Sequence, residues 1–196
     1  MKLQTSTWAL IAIAAITTAA GGIIYWYDAQ IKPQREAKEA ETQQVFDFEE
    51  TEIERLRIEK AQETLLFSRT TNPERPWQMR RPEYAPASEA AVSYLVNLLV
   101  EGQADQILTV PARQLPEYGL DQPQATIMLD LKQQESRQLI LGKISFDGQF
   151  IYGTTDALAK PATEVEIFLL PIDFQYAINR ELAEWKESAA PIPDSP

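Results

Sequence analysis

The sequence predicts an α+β domain, built as a mostly antiparallel sheet of short strands with two amphipathic helices and preceded by one N-terminal transmembrane helix. Three patterns support this fold class. Residues 8–27 carry no charge, short runs in the middle of the chain alternate between apolar and polar residues, and two later segments have apolar residues three or four apart. Because the strands are grouped rather than alternating one by one with helices, an antiparallel sheet is favoured over a parallel one.

The uncharged stretch from Trp8 to Tyr27 would be roughly 30 Å long as a helix, which matches the hydrocarbon core of a bilayer. Aromatic residues lie at both of its ends, as in interfacial belts. We therefore interpret residues 1–27 as a short tail and a transmembrane anchor that contacts lipid through residues 8–27. The alternative is a cleaved secretory signal, with Lys2 as its positive start and Thr18 to Ala20 near the cleavage site, but the apolar run continues well beyond such a site.

Small residues recur on the predicted anchor at Ala14, Thr18 and Gly22, a spacing that lets a second membrane helix approach closely. The ordinary composition of a membrane span is the alternative explanation. The Lys and Arg counts around the span lean slightly toward a cytoplasmic domain, whereas the short preceding tail favours translocation. We expect a single-pass protein of a plasma or thylakoid membrane with its domain in the periplasm or lumen.

The chain after Tyr27 contains 29 acidic and 17 basic side chains, a formal charge of −12. Such a charge repels nucleic acid, so we expect no nucleic-acid partner. Composition divides this part into a polar stalk (28–45), an α+β domain (46–187) and a proline-rich, disordered tail (188–196). An anchor, a stalk and a domain together predict a membrane protein as the partner.

Within the domain, alternation predicts eight short strands. They are centred on Leu56 and Ile58, Leu65 and Phe67, Trp77 and Met79, Ile107 to Val110, Ile127 to Leu131, Leu139 and Leu141, Phe150 and Tyr152, and Val165 to Leu169. Asp147 and Gly148 predict a two-residue hairpin turn in which both residues have positive φ.

The first predicted helix begins after a capping Ser88 and ends at Gly102. Its apolar face consists of Val92, Leu95, Val96 and Leu99. The second begins with Asp173 as its cap, and its apolar face consists of Phe174, Ile178, Leu182 and Trp185.

A connection that contains several prolines includes the sequence motif Tyr118, Gly119, Leu120, Asp121, Gln122, Pro123, which we call the turn word. Gly119 suits a positive φ, Pro123 stops the turn, and Tyr118 and Leu120 can fill the core, so these residues predict a structural turn. Together with Pro76 to Met79, Leu98-Leu99 and Leu139 to Lys143, the word resembles the family called domain of unknown function 4340. The single-copy, membrane-anchored cyanobacterial members are the most similar, over Phe46 to Lys186.

This resemblance implies an N-terminal anchor, an α+β domain and an unassigned activity. Some members of the family occur beside gliding-type ABC transport components, which implies an accessory role in transport as one alternative.

The chain contains no His and no Cys, which excludes Ser-His-Asp triads, thiolate nucleophiles, and thiolate or imidazole metal sites. Gly142-Lys143 lacks the earlier glycine of a phosphate loop. The acidic residues between Asp47 and Glu54 have neither the glycine nor the mixed ligands of a calcium loop. We expect Asp121 to bond its own turn backbone.

We therefore expect no catalytic, cofactor-binding or metal-binding residue. The sequence favours a membrane-anchored accessory or interaction module beside a larger membrane complex. The alternative is a carboxylate-based enzyme or small-ligand binder that works through Asp121, Lys143 or Tyr118.

Overall fold

The computed structural model describes residues 43–155 and 163–187. Among these residues, no helix has both the length and the apolar character needed to cross a bilayer. The predicted anchor with its small-residue positions Ala14, Thr18 and Gly22, the stalk up to residue 42 and the proline-rich tail all lie outside the described residues.

The described chain forms one antiparallel sheet of nine strands in the order β4-β3-β2-β1-β6-β7-β8-β9-β5. The strands are β1 (Ile53–Lys60), β2 (Glu63–Arg69), β3 (Trp77–Arg81), β4 (Ala85–Pro86), β5 (Gln106–Pro111), β6 (Ala125–Leu131), β7 (Ser136–Ile144), β8 (Phe150–Thr154) and β9 (Glu164–Pro171). The prediction of a mostly antiparallel α+β domain is confirmed, and all eight predicted strands are present. The ninth strand, β4, has only two residues, too few for an alternating pattern.

The first predicted helix is confirmed as α1 (Glu89–Glu101), and the Ser88 hydroxyl accepts a hydrogen bond from the Ala91 amide. Gly102 follows the helix as expected, but its φ of −65° is not left-handed. A Cβ at this position would lie 2.0 Å from the Leu98 carbonyl oxygen. The helix end therefore requires glycine for space and not for a positive φ.

The second helix, α2 (Asp173–Ile178), is shorter than predicted. Asp173 is the first residue of the helix and Ile172 occupies the cap position, so the predicted cap is wrong. The Asp173 carboxylate accepts a hydrogen bond of 2.8 Å from the Tyr94 hydroxyl. Lys60 Nζ donates to the Ile178 carbonyl oxygen at the end of α2. The chain then turns, and Trp185 packs against Phe67 with ring centroids 5.3 Å apart. The apolar spacing that continues to Trp185 thus reflects burial in a turn and not a longer helix.

The hairpin between β7 and β8 forms at the predicted place with a different geometry. Gly148 has φ = 74°, but Asp147 is not among the described residues with positive φ, so the prediction of a two-residue turn is wrong. The Gly148 amide donates to the Ser145 carbonyl oxygen. Asp147 accepts from the Ser145 hydroxyl and the Gln149 amide, which a short polar side chain achieves without positive φ.

The main core lies on one side of the sheet. The buried face of α1, α2 and the segment with Phe46 and Phe48 pack there against the apolar residues of the sheet. On the other side, a 3₁₀ segment (Ala112–Tyr118) and the turn after it cover a smaller cluster. That cluster contains Val110, Leu120, Ile140 and Ile167, with Leu108, Leu115, Tyr118 and Tyr152 packed against it. Within residues 43–155 and 163–187, the second side is therefore covered only where β5, β9, β8 and part of β7 lie.

Two neighbouring residues on opposite faces of β6 test whether the main core lies on one side of the sheet. Leu129 is fully buried in the main core, whereas its neighbour Met128 is half-buried on the other side. We expect Leu129→Ala to lower the free energy of unfolding by about 2–5 kcal/mol, and Met128→Ala to lower it by less than about 1 kcal/mol. Urea titration followed by tryptophan fluorescence measures both values. Equal losses would contradict the one-sided core.

The Tyr94–Asp173 contact between α1 and α2 predicts a pH dependence. Hydrogen bonding to Asp173, together with burial, raises the pKa of Tyr94 above its ordinary value of 10.0. The stabilisation is thus fully present below pH 10 and is lost as pH rises through the folded-state pKa. We expect Tyr94→Phe to be less stable by about 0.5–1.5 kcal/mol at pH 8. The difference from wild type should narrow above pH 10 in thermal unfolding at a series of pH values, and a constant difference would contradict the assignment.

Candidate functional site

The part of the second side that no described element covers is formed by β3, β2, β1, β6 and β7. Strand pairing aligns its outward residues in two rows. The first row is Arg81, Leu66, Arg57, Met128 and Gln138. The second row is Gln78, Ser68, Arg55, Asp130 and Ser136. We call these two rows, with the adjacent Arg80, the open sheet face.

The register of the core places these side chains outward. Leu56 and Ile58 of β1 are fully buried, so the alternation of a strand turns Arg55 and Arg57 to the opposite side. β1 lies in the interior of the sheet, between β2 and β6. The two arginines therefore project from the middle of a five-strand surface and not from its margin.

The open sheet face is more basic than the described chain as a whole, which has 23 acidic and 13 basic side chains. It carries four arginines and, within its two rows, the carboxylate of Asp130, and Glu54 and Glu59 line the grooves beside these rows. Arg55 and Asp130 are 3.7 Å apart, with 64% and 45% of their side chains exposed. An ion pair this exposed is weak, so Arg55 can exchange Asp130 for a carboxylate of a partner.

Further contacts position the other arginines. Arg57 lies 3.5 Å from Glu59. The Arg80 Nε donates to the Ser68 hydroxyl at 2.7 Å, and its guanidinium stacks over the Tyr84 ring at 5.0 Å. Arg81 has no ion pair within residues 43–155 and 163–187.

Grooves run between these side chains. One of about 240 Å³ lies between Arg57 and Arg81 and includes Leu66 in its lining. A second, of about 180 Å³, includes Met128, Arg55 and Asp130. A wider depression of about 560 Å³ is lined partly by Arg55, Ser68, Arg80 and Lys132. All three are open to solvent, unlike the enclosed pockets that bury most of a small ligand. Their form suits side chains of a partner protein.

The turn word identified in the sequence lies on the covered half of the same side. Gly119 has φ = 70°, Leu120 is 2% exposed, and the Tyr118 ring meets Tyr152 edge-on at 5.0 Å. Pro123 lies just before β6. These residues fill and close the smaller cluster.

Asp121 and Lys143 are both exposed. In the part of the chain that the structure describes, no hydrogen bond of the Asp121 carboxylate is found, so the expected bond to its own turn is not formed. No ion pair or hydrogen bond joins Asp121, Lys143 and Tyr118 there. The residues named for a carboxylate-based site are therefore not brought into one constellation.

The acidic residues before β1 have structural contacts. At the 3₁₀ turn Glu50–Glu52, the Glu49 amide donates to the Glu52 carboxylate at 2.9 Å, and Glu50 pairs with Arg69 at 3.3 Å. No group of three or more potential metal ligands occurs among the described residues.

Comparison with known families places the chain. The model of the family described as "Domain of unknown function (DUF4340)" matches residues 77–191. The chain belongs to the DUF4340 family. The family prediction is thus confirmed, although the match begins at β3 and not at Phe46. No curated protein and no solved structure matches the chain.

Within this DUF4340 chain, β1 and β2 precede the matched region, whereas β3, β6 and β7 lie inside it. The open sheet face therefore combines strands from both parts. Sequence reasoning missed this site. A signal was present, because Arg55 and Arg57 alternate with two apolar residues, but only the pairing of distant strands shows that the surface is continuous.

Two glycines with left-handed backbone provide a matched test of the turn word. A Cβ at Gly119 would lie 3.0 Å from the Lys143 amide nitrogen, whereas a Cβ at Gly148 would have no neighbour within 4 Å. Both Gly→Ala changes cost about 1–2 kcal/mol for the positive φ. We expect Gly119→Ala to be the more destabilising of the two in urea titration. An equal or smaller loss at position 119 would contradict a packing role.

Proposed function

We propose that this DUF4340 protein is a membrane-anchored accessory or interaction module, which binds a protein of a larger membrane complex through the open sheet face. The observation that supports the proposal is the pair of aligned rows, in which arginines flank the apolar side chains of Leu66 and Met128. Arginine and methionine are enriched in protein interfaces, and arginine is frequent among the residues that dominate binding energy. The partner surface that this arrangement fits is acidic, with apolar side chains for the grooves.

The size of the surface indicates the strength of the contact. Five strands at a spacing of about 4.8 Å give a width of roughly 20 Å. A patch of this width is at the small end of the range for specific interfaces, and interfaces of that size form weak or transient complexes. A membrane tether raises the effective concentration of the two partners, so a weak contact suffices in this setting.

The sheet edges are less suited to binding. The two edge strands are β4, which ends at Pro86, and β5, which ends at Pro111. Proline has no amide hydrogen to donate, and edge prolines oppose the addition of a further strand. A partner that paired with β4 would meet only two residues, and one that paired with β5 would meet six residues that end in proline, which favours the open sheet face as the binding surface.

The proposal includes no catalytic step. The absence of His and Cys removes thiolate nucleophiles, imidazole bases, and thiolate and imidazole metal ligands. The anchor at residues 8–27 and a periplasmic or lumenal domain are part of the proposal. Protease treatment of sealed vesicles tests them: a lumenal domain is protected until detergent is added, and digestion from the outside of correctly oriented vesicles would contradict that topology.

Binding through the open sheet face is tested by photo-crosslinking in intact membranes. A photoreactive residue replaces Met128 in one variant and Tyr176, which is 64% exposed on α2, in the control. We expect a discrete crosslinked product from position 128 and none from position 176. Products of equal yield from both positions would contradict the proposal.

Charge reversal then tests the arginines. Arg57→Glu with Arg81→Glu should lower the crosslink yield at position 128 at least tenfold, because an acidic partner meets two new carboxylates. The matched control is Arg75→Glu with Lys143→Glu, which changes the net charge equally at exposed positions outside the open sheet face. Equal loss in both double variants would show that net charge, and not this face, governs the contact.

A further inference from the structure

The turn between β7 and β8 exposes a phenylalanine that the fold does not use. Phe146 is 108% exposed, and Ile144 at the end of β7 is 39% exposed. Phe146 lies at the second position of a turn closed by the Gly148 amide and the Ser145 carbonyl, and that position accepts most residue types. The turn therefore gives no structural reason for an aromatic residue here. We call Ile144 to Gly148 the hairpin tip.

The hairpin tip is held by several hydrogen bonds. The Ser145 hydroxyl accepts from the Phe150 amide at 3.0 Å and donates to Asp147 at 2.6 Å. Asp147 also accepts from the Gln149 amide at 3.1 Å. An ordered turn thus carries the exposed ring, so the conformational entropy of the turn is not lost again when a contact forms.

The described chain begins at the same end of the sheet. The Gln43 carbonyl accepts from the Ala104 amide at 2.9 Å, and the next amide, of Asp105, donates to the Leu169 carbonyl. At the end of β9, the Ile172 amide donates to the Gln149 carbonyl beside the hairpin tip. The strand order β5-β9-β8-β7 separates the two sites by three strand spacings, roughly 15 Å.

We infer that the hairpin tip rests on the lipid bilayer, with the Phe146 ring in the interfacial region. The inference depends on the membrane anchor of the proposed function. Fifteen residues, 28–42, separate the uncharged stretch from Gln43, a span of at most about 50 Å. The tether joins the domain at the end of the sheet that Gln43 marks, so a tether of this length lets that end reach the bilayer, and aromatic rings are favoured in the interfacial layer.

The charges around the hairpin tip determine which lipid headgroups it can approach. The hydrogen bond from Ser145 and that from the Gln149 amide hold the pKa of Asp147 below its ordinary value, so this carboxylate is ionised at neutral pH. Glu101 and Asp105 lie at the same end of the sheet, and with Asp147 they outnumber the exposed Lys143 next to the tip. Anionic headgroups would be repelled by these carboxylates, so the contact is with zwitterionic lipid, and Asp147 stays in water while the neighbouring ring enters the interface.

The test uses the full chain in phosphatidylcholine vesicles. Since the chain has no cysteine, Phe146→Cys and Thr71→Cys each give a unique site for an environment-sensitive fluorophore. Thr71 is exposed in the loop between β2 and β3, at the opposite end of the sheet. We expect a lipid-attached spin label to quench the fluorophore at position 146 at least threefold more than at position 71, and aqueous iodide to do the reverse. Replacing a third of the lipid by phosphatidylglycerol should reduce the quenching at position 146.

The possible failures are distinguishable. If the chain does not float with the vesicles, the membrane anchor and this inference are both wrong. If the chain floats but iodide quenches both positions equally, only the lipid contact of the hairpin tip is wrong. If neither quencher reaches position 146, the tip is covered by protein, in this preparation a second copy of the chain, and the lipid contact is again wrong.

Discussion

One-sided burial of the two central strands determines the rest of this domain. Leu56, Ile58, Ile127 and Leu129 of β1 and β6 are fully buried beneath α1, α2 and the segment around Phe46. A 13-residue helix is only about 20 Å long, so one long and one short helix cover a single side of a nine-stranded sheet. The strand period of two then turns Arg55 and Arg57 outward, and a register slip of one residue would bury both charges. The open sheet face is therefore fixed by the same register that forms the core.

The second side is divided along β7. Ile140 lies under the 3₁₀ segment and turn, whereas Gln138, two residues earlier on the same side, is half-buried on the open half. The turn word, which lies inside the region that the family model matches, fills the covered half, since Leu120 and Tyr118 pack there with Ile140 and Tyr152. The arginines of β1 come before the region that the family model matches. The packed turn of the matched region thus lies beside a surface to which β1 and β2, which precede that region, also contribute.

Local patterns explain what could be predicted from the sequence. Period-two alternation identified the long strands, and the Ser88 cap with its apolar stripe identified α1, because these signals arise from neighbours in the chain. Non-local contacts explain the errors. The pairing of β1 with β6 joins residues about 70 positions apart, so the rows of the open sheet face could not be assembled beforehand. Similarly, α2 stops at Ile178 beside Lys60, and the apolar residue Trp185 serves a distant contact with Phe67.

The effect of the net negative charge on a partner depends on the distance between the charges. The acidic total predicts repulsion of anions, yet at physiological salt charges are screened beyond about 8 Å. A partner already seated on the open sheet face would contact Arg55, Arg57, Arg80 and Arg81 together with Asp130 and Glu59, which form exposed ion pairs with two of them, while most of the other carboxylates of the domain lie farther away. Long-range repulsion slows the encounter of free molecules, whereas attraction at contact governs how long a complex lasts. When both partners are tethered to one membrane, they no longer have to meet by diffusion through bulk water, which is the step that the net negative charge of the domain slows. The lifetime of the complex, which the arginines prolong, then determines the strength of binding. An acidic domain with a basic face is in this respect suited to a partner held close by.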